Sequence, residues 1–302
     1  MIWDLKDIFA GENVGQLLIN EPMKNHTSFK IGGPVDGLFI PNDEEQIINI
    51  IKICRKENIP YCVMGNGSNL LIKDGGIRGI VIKIHEGFNK IFVEGNRIIA
   101  EAGCLLASVS DKAKEYKLTG MEFASGIPGT IGGALTMNAG AYGGEMKDIV
   151  VSVRAIDRDL NIIDIANEDM NFIYRNSRVV SDSLIVLSTL LELQPGDYKE
   201  IEEIMKDLNY RRSSKQPLEL PSGGSTFKRP QGYFAGKLIQ DSGLQGFKCG
   251  GAQVSTKHSG FIVNVDNATC KDVLDLVSHI QETVLDKYGV QLEREIKLIG
   301  ED

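Results

Sequence analysis

The segment PSGGSTFKRP, residues 221–230, sets one hydroxyl, Ser225, behind Gly223 and Gly224 and ahead of Lys228 and Arg229. A serine so placed is open to four uses: nucleophile, phosphate ligand, proton donor or plain turn residue. The nucleophile reading fails on spacing, because a nucleophile elbow needs G-x-S-x-G and Phe227 stands at the last glycine position. A base is missing as well. Of the four histidines, His258 in STKHSG has no acidic residue beside it in the sequence.

Two glycine-rich stretches have the composition of anion-binding loops. In VMGNGSNLLI, residues 63–72, Gly65, Asn66, Gly67, Ser68 and Asn69 follow an apolar run, which makes either a plain tight turn or a loop whose successive N–H groups converge on an anion. This is not a G-x-G-x-x-G dinucleotide fingerprint, since Leu70 takes the third glycine position. The second stretch, SGIPGTIGGALTMNAGAYGGE (125–145), threads Ile127, Ile131, Leu135 and Met137 through its glycines. A flexible linker is polar and repetitive, whereas this pattern describes buried backbone, either wrapped on a ligand or crossing a tight core. Two such loops fit one extended nucleotide ligand. GYFAGKL (232–238) is no Walker loop: the spacing is one residue short and Leu238 replaces Ser or Thr, so Lys237 reads as part of a helix start.

The elements that must position these residues alternate between short strands and amphipathic helices. DGLFIP (36–41), YCVMG (61–65) and GIVIKI (79–84) read as strands, and residues 44–60 as a helix with Ile47, Ile48 and Ile51 on one face. KIFVEGNRIIAEAG and VVSVRAIDRDLNIIDIAN read as hairpins around EGN and RDLN, with the helix LLASVSDKAKEYKL between them and the apolar run LIVLSTLLEL after them. A helix follows Pro195 and Gly196. Strands GGAQVS and GFIVNV, a helix CKDVLDLVSHIQETVLDKYG closed by Gly289, and a last strand QLEREIKLIG complete the chain. The pattern predicts an α+β protein of three parts, 1–85, 86–195 and 196–302.

At 302 residues, 42% hydrophobic and 25% charged, the chain is globular rather than disordered. A net charge of −8 argues against nucleic acid or an anionic membrane as partner, so basic residues that bind an anion must be gathered locally, which draws attention to Lys228, Arg229, Arg211 and Arg212. Five scattered cysteines without a C-x-x-C pair point to neither a disulfide framework nor a zinc site. No leader and no run of ~18 apolar residues is visible, so a cytoplasmic location is expected.

NHTSFKIGGPVD, GNGSNLLI, GIPGTIGGALTMNAGAYGGE, YRNSR, PSGGSTFKRP, AGKLIQDSGLQGFKCGGAQVSTKHSGFIVN and LEREIKLIG follow one another from about residue 25 to about residue 300. In this order they resemble the UDP-N-acetylenolpyruvoylglucosamine reductases, the MurB family of peptidoglycan synthesis. The resemblance implies a two-part FAD-binding module of the vanillyl-alcohol-oxidase (PCMH) type over 1–85 and 86–195, and a C-terminal α+β substrate-binding domain over 196–302. It implies FAD, with NADPH as hydride donor, and reduction of the enolpyruvyl ether of UDP-N-acetylglucosamine enolpyruvate to UDP-N-acetylmuramate. The segment between Arg178 and Leu193 is short, which resembles the family type without a tyrosine-bearing lid.

Carried over residue by residue, the resemblance gives catalytic roles to Arg175, Ser225 and Glu295. Arg175 would hold a carboxylate or enolate, Ser225 would protonate the carbon beside the carboxylate, and Glu295 would orient the reacting group or assist as an acid. A neutral hydroxyl suffices, because a carbanion-like centre is a far stronger base than an alkoxide. Cofactor contacts fall on Gly65, Asn66, Gly67, Ser68 and Asn69 in the first loop, and on Gly126, Ile127, Pro128, Gly129, Gly132, Gly133, Asn138, Ala139 and Gly140 in the second. Lys215 and Lys228 suit the diphosphate or carboxylate of a UDP-amino-sugar, and no metal is implied. Many relatives carry Asn where this chain has Arg229, which leaves the sugar contacts there open. The expected working unit is a monomer. A sugar or alcohol oxidase of the same flavin fold would often tether the flavin through a histidine that GNGSNLL lacks, and a non-catalytic nucleotide sensor would not need Arg175, Ser225 and Glu295 together.

Overall fold

The computed structural model describes residues 3–302; Met1 and Ile2, which open the range 1–85 and the N-terminal stretch considered for a leader, lie outside the described residues. Two compact units emerge, and the chain changes unit inside the strands Gln16–Pro22, Pro34–Ile40 and Ile77–Lys83, between Asn66 and Gly67, and inside the helix Tyr198–Lys215.

One unit gathers Met1–Leu17, Phe39–Asn66 and Val81–Arg212. Its largest element is a five-stranded antiparallel sheet in the order Ile162–Ala166, Val150–Ile156, Ile185–Glu192, Arg97–Glu101, Ile91–Glu94. Both expected hairpins are present, and LIVLSTLLEL supplies the middle strand that joins them, which explains its near-continuous apolar run. The helix Glu44–Lys56 buries Ile47, Ile50, Ile51 and Cys54 and is capped by Asp43, whose carboxylate accepts the Gln46 N–H at 2.8 Å. It stops short of the expected residue 60 because Asn58 adopts φ +52° and Pro60 bars αR at the residue before it.

The other unit gathers Leu18–Leu38, Gly67–Ile80 and Ser213–Asp302. Phe29, Leu71, Phe227, Ile262, Val273, Ile280 and Ile296 pack into its core. The helix Cys270–Tyr288 opens on a capping box between Thr269 and Asp272 and closes on Gly289 at φ +67°, a backbone state that suits glycine. Lys248–Cys249, Ala252–Val254 and Ile262–Asn264 form a three-stranded sheet, while Lys297–Ile299 pairs in parallel with Leu70–Ile72. The last strand is therefore shorter than QLEREIKLIG. Among residues 291–296 Arg294 makes an isolated bridge to Phe227, and Glu295 lies outside a regular ladder. Helices and mainly antiparallel strands make the fold α+β, as patterned. Among the described residues, no helix is long and apolar enough to cross a membrane.

Candidate active site

Residues 221–229 run between two neighbouring segments of their own unit. On one side the Asn264 N–H donates to the Pro221 carbonyl and the Thr226 N–H to the Gly260 carbonyl, each at 2.9 Å. On the other, the Glu295 N–H donates to the Thr226 carbonyl and the Lys228 N–H to the Glu293 carbonyl, each at 2.8 Å. Thr226 is fully buried, with its hydroxyl oxygen accepting the Ile262 N–H at 3.0 Å, and Phe227 is buried beside it. These two anchors hold the strip in place, and Ser225 is left exposed just before them. Gly224 makes the turn into Ser225 at φ +78°. Gly223 is needed for close approach, since a Cβ there would enter the Phe29 ring.

The backbone at Glu295 is held a second time. Asn69 donates through Nδ2 to the Glu295 carbonyl at 3.4 Å, and the Lys297 N–H donates to the Asn69 carbonyl at 2.9 Å. Within this unit, then, Glu295 is joined through its backbone to Asn69 of the first glycine stretch and to Thr226, the residue after Ser225. Lys228 forms an ion pair with Glu293, and the Arg229 guanidinium stacks 4.0 Å from the centroid of the Phe234 ring. Lys215 is exposed at the last position of the helix Tyr198–Lys215. His258 is a turn residue: its Nδ1 accepts the Gly260 N–H at 3.0 Å, and burial holds its pKa below the usual histidine range.

The other unit contains Gly65, Asn66 and the loop 125–145. Asn66 donates to the Pro128 carbonyl at 2.9 Å, and a Cβ at Gly65 would strike the Thr130 hydroxyl. The loop backbone is pinned where Leu106 N–H meets the Gly129 carbonyl at 3.0 Å, Ile131 N–H the Cys104 carbonyl at 2.8 Å and Gly132 N–H the Ala102 carbonyl at 2.9 Å. Thr130 caps the short helix Ile131–Thr136, which buries Ile131 and Leu135. Pro128 and Gly133 are exposed, Gly126, Ile127, Gly129, Gly132, Ala139 and Gly140 half-buried, and Asn138 buried. The Asn138 amide nitrogen donates to Glu145 at 2.9 Å and to the Ile173 carbonyl at 3.4 Å, while its oxygen accepts the Lys147 N–H at 3.0 Å.

Arg175 sits at φ +57° in a turn closed by reciprocal backbone bonds between Ile173 and Asn176 of 3.1 and 3.2 Å. Its guanidinium lies 5.0 Å from the centroid of the Tyr174 ring. Residues 173–176 thus form a tight turn.

These features have close counterparts. A relative from Clostridioides difficile (strain 630), named UDP-N-acetylenolpyruvoylglucosamine reductase, is 55% identical over 299 residues, spanning 99% of this chain and 97% of its own. One of the same name from Caldanaerobacter subterraneus subsp. tengcongensis is 54% identical over 95% of each chain. The chain belongs to the UDP-N-acetylenolpyruvoylglucosamine reductase family. The family's C-terminal domain model matches residues 216–299, and an FAD binding domain model matches residues 35–166. The crystal structure of the Thermus caldophilus UDP-N-acetylenolpyruvylglucosamine reductase (MurB) superposes with a TM-score of 0.81 at 33% identity, covering 94% of this chain and 98% of that one.

For a reductase of this family the cofactor is FAD, and one orphaned group fits it. Arg212, in the helix Tyr198–Lys215, has its Nε buried without a hydrogen-bond partner, and burial pushes its pKa down. Its Cδ would lie 2.9 Å from a Cβ at Gly126, so the guanidinium stem lies against the second glycine loop. A desolvated guanidinium requires an anion, and a pyrophosphate oxygen beside a glycine loop meets that requirement. Of the basic residues that the acidic background singles out, Arg212 is the one placed against the second glycine loop, and Glu145, the last residue of that loop, is given no role by the motifs. The sequence carried a signal for the first, because Arg211 finds Asp207 four residues back at 2.7 Å whereas Arg212 has Leu208 there.

Proposed function

We propose that the chain uses NADPH to reduce the enolpyruvyl ether of UDP-N-acetylglucosamine enolpyruvate, giving UDP-N-acetylmuramate for peptidoglycan synthesis. The observation that carries this reading is full-length family membership, 55% identity over 99% of the chain. FAD, when bound, passes the electron pair of NADPH on to the substrate. Everything else falls to side chains of the protein.

The double bond takes up one hydride equivalent and one proton, and negative charge develops next to the carboxylate on the way. Arg175 binds that carboxylate and the growing charge, as a permanently cationic, bidentate donor. Ser225 delivers the proton to the carbon beside the carboxylate and is reprotonated from solvent. Its exposed position after Gly224, ahead of the buried Thr226, supports this use. Glu295, whose backbone is tied to both Thr226 and Asn69, orients the reacting group. Lys215 and Lys228 attract the diphosphate, with Glu293 limiting where the Lys228 ammonium can swing.

FAD contacts fall on Gly65, Asn66, Gly67, Ser68 and Asn69 and on Gly126, Ile127, Pro128, Gly129, Gly132, Gly133, Ala139 and Gly140, with Asn138 supporting the second loop from inside. Residues 1–85 and 86–195 serve the flavin, in the manner of the vanillyl-alcohol-oxidase type, and 196–302 the substrate. The protein works as a monomer in the cytoplasm. An oxidase of the same fold, or a nucleotide sensor, would leave the match to the family's C-terminal domain over 216–299 without a purpose. The test is optical: purified protein should be yellow, bleach with NADPH, and recover its colour on the enolpyruvyl substrate. Colourless protein that takes up no FAD would overturn the reading.

A further inference from the structure

Arg175 and Asn138 both occupy the left-handed backbone region, at φ +57° and +41°. A residue with a Cβ is strained there, so the surroundings must over-determine each position. Asn138 is buried, and its amide ties residues 138–147 to the Ile173 carbonyl, the residue that closes the turn carrying Arg175. What fixes Asn138 is Glu145. The Glu145 carboxylate accepts from Asn138 Nδ2 and from the Lys147 ammonium, both at 2.9 Å. Its own N–H donates to Asp148 at 2.9 Å within a capping box, so the carboxylate has little freedom.

We propose that Glu145 is a positioning residue for Arg175: through Asn138 it holds the turn 173–176, and its charge holds the guanidinium in one orientation. The proposal rests on the reading of Arg175 as the substrate-carboxylate ligand. The ionised state of Glu145 agrees with it, because the hydrogen bond from Lys147 first, then that from Asn138, then the charges of Lys147 and Arg175, keep its pKa below the ordinary glutamate range. A neutral amide at 145 still offers one carbonyl oxygen to the Asn138 NH2 but no longer the negative charge that the Lys147 ammonium and the Arg175 guanidinium face, so it loosens the hold on the turn.

The experiment is a double-mutant cycle on FAD-loaded enzyme, timing the bleaching by NADPH and the colour recovery on the enolpyruvyl substrate separately. Glu145→Gln should slow recovery about tenfold while bleaching is unchanged, and in an Arg175→Ala background it should add nothing. A merely structural Glu145 would instead slow recovery by the same factor in both backgrounds, which overturns the proposal, as does unaltered recovery in Glu145→Gln alone. If Arg175→Ala itself recovers normally, the assignment of Arg175 and this proposal both fail. If Arg175→Ala is slow while Glu145→Gln is not, only the proposal fails. Should Glu145→Gln not fold, Glu145→Asp, which draws the carboxylate back from the Asn138 amide, carries the cycle with the same expected outcomes.

Discussion

The Glu295 N–H donates to the Thr226 carbonyl at 2.8 Å, so the residue that follows Ser225 and the glutamate near the end of the chain share one backbone register. Ser225 is thereby placed by its buried neighbour rather than by contacts of its own side chain. Replacing it should leave the loop standing. In Ser225→Ala, NADPH should bleach the flavin at the normal rate, whereas colour recovery on the enolpyruvyl substrate should slow by about 10³-fold, in the range of a lost general acid. Recovery at the wild-type rate would remove Ser225 from the proton transfer.

Arg212 offers a test that needs no turnover. If its guanidinium takes a pyrophosphate oxygen, Arg212→Gln should weaken FAD binding to the apoprotein by roughly 10–150-fold, the equivalent of a lost charge-assisted hydrogen bond of ~1.5–3 kcal/mol. Riboflavin, which has no phosphate, should bind both proteins alike. An equal loss for both ligands, read by quenching of flavin fluorescence, would show that Arg212 serves something other than phosphate.

Gly223 tests the packing under the serine. A Cβ there would stand 2.8 Å from Phe29 Cδ2 and 3.2 Å from Ile296 Cγ2, both in side chains of the buried core. Gly223→Ala should cost about 1–3 kcal/mol in urea unfolding, as overpacking does, and should reduce turnover by displacing Ser225. Unchanged stability would mean that the strip can lift away from Phe29 freely.

Asp272 gives a pH dependence. Its carboxylate accepts the Thr269 N–H at 2.9 Å and the Gly251 N–H at 3.2 Å, and these bonds, the Thr269 one foremost, hold its pKa below the ordinary aspartate range. A depressed pKa means that the charge contributes stability in full above the unfolded value of about 3.9, and that this contribution is lost as pH falls through the lower folded value. Asp272→Asn should therefore be about 1 kcal/mol less stable at pH 7, with the gap closing in acid. A gap that persists at the lowest pH where the protein still folds would place the effect in shape rather than charge.

Much of this was legible in the sequence, for local reasons. The apolar spacing of Ile47 and Ile51, the turns EGN and RDLN and the terminal Gly289 act over a few residues, and the structure realises each of them. The helix Ile131–Thr136 was hidden because Gly132 and Gly133 oppose helix formation; the Thr130 cap and the burial of Ile131 and Leu135 override them. Asn138 in MNAG looks like a cofactor ligand, yet its amide is committed to Glu145, Ile173 and Lys147, and only a fold that brings 138 beside 173 reveals this. Glu295 was legible as a residue but not as a neighbour of Asn69, since no periodicity encodes a pairing 226 residues apart.

That pairing has a consequence for synthesis. The parallel partners Leu70–Ile72 and Lys297–Ile299 leave the ribosome in order, and at ~5–20 residues per second the first waits tens of seconds for the second. During that interval Leu71 and Phe29 have no Ile296 to cover them, so the core of this unit is completed late. Nascent chains arrested before residue 290 should be cut by protease within 18–38 and 67–80, and chains extended past 302 should not.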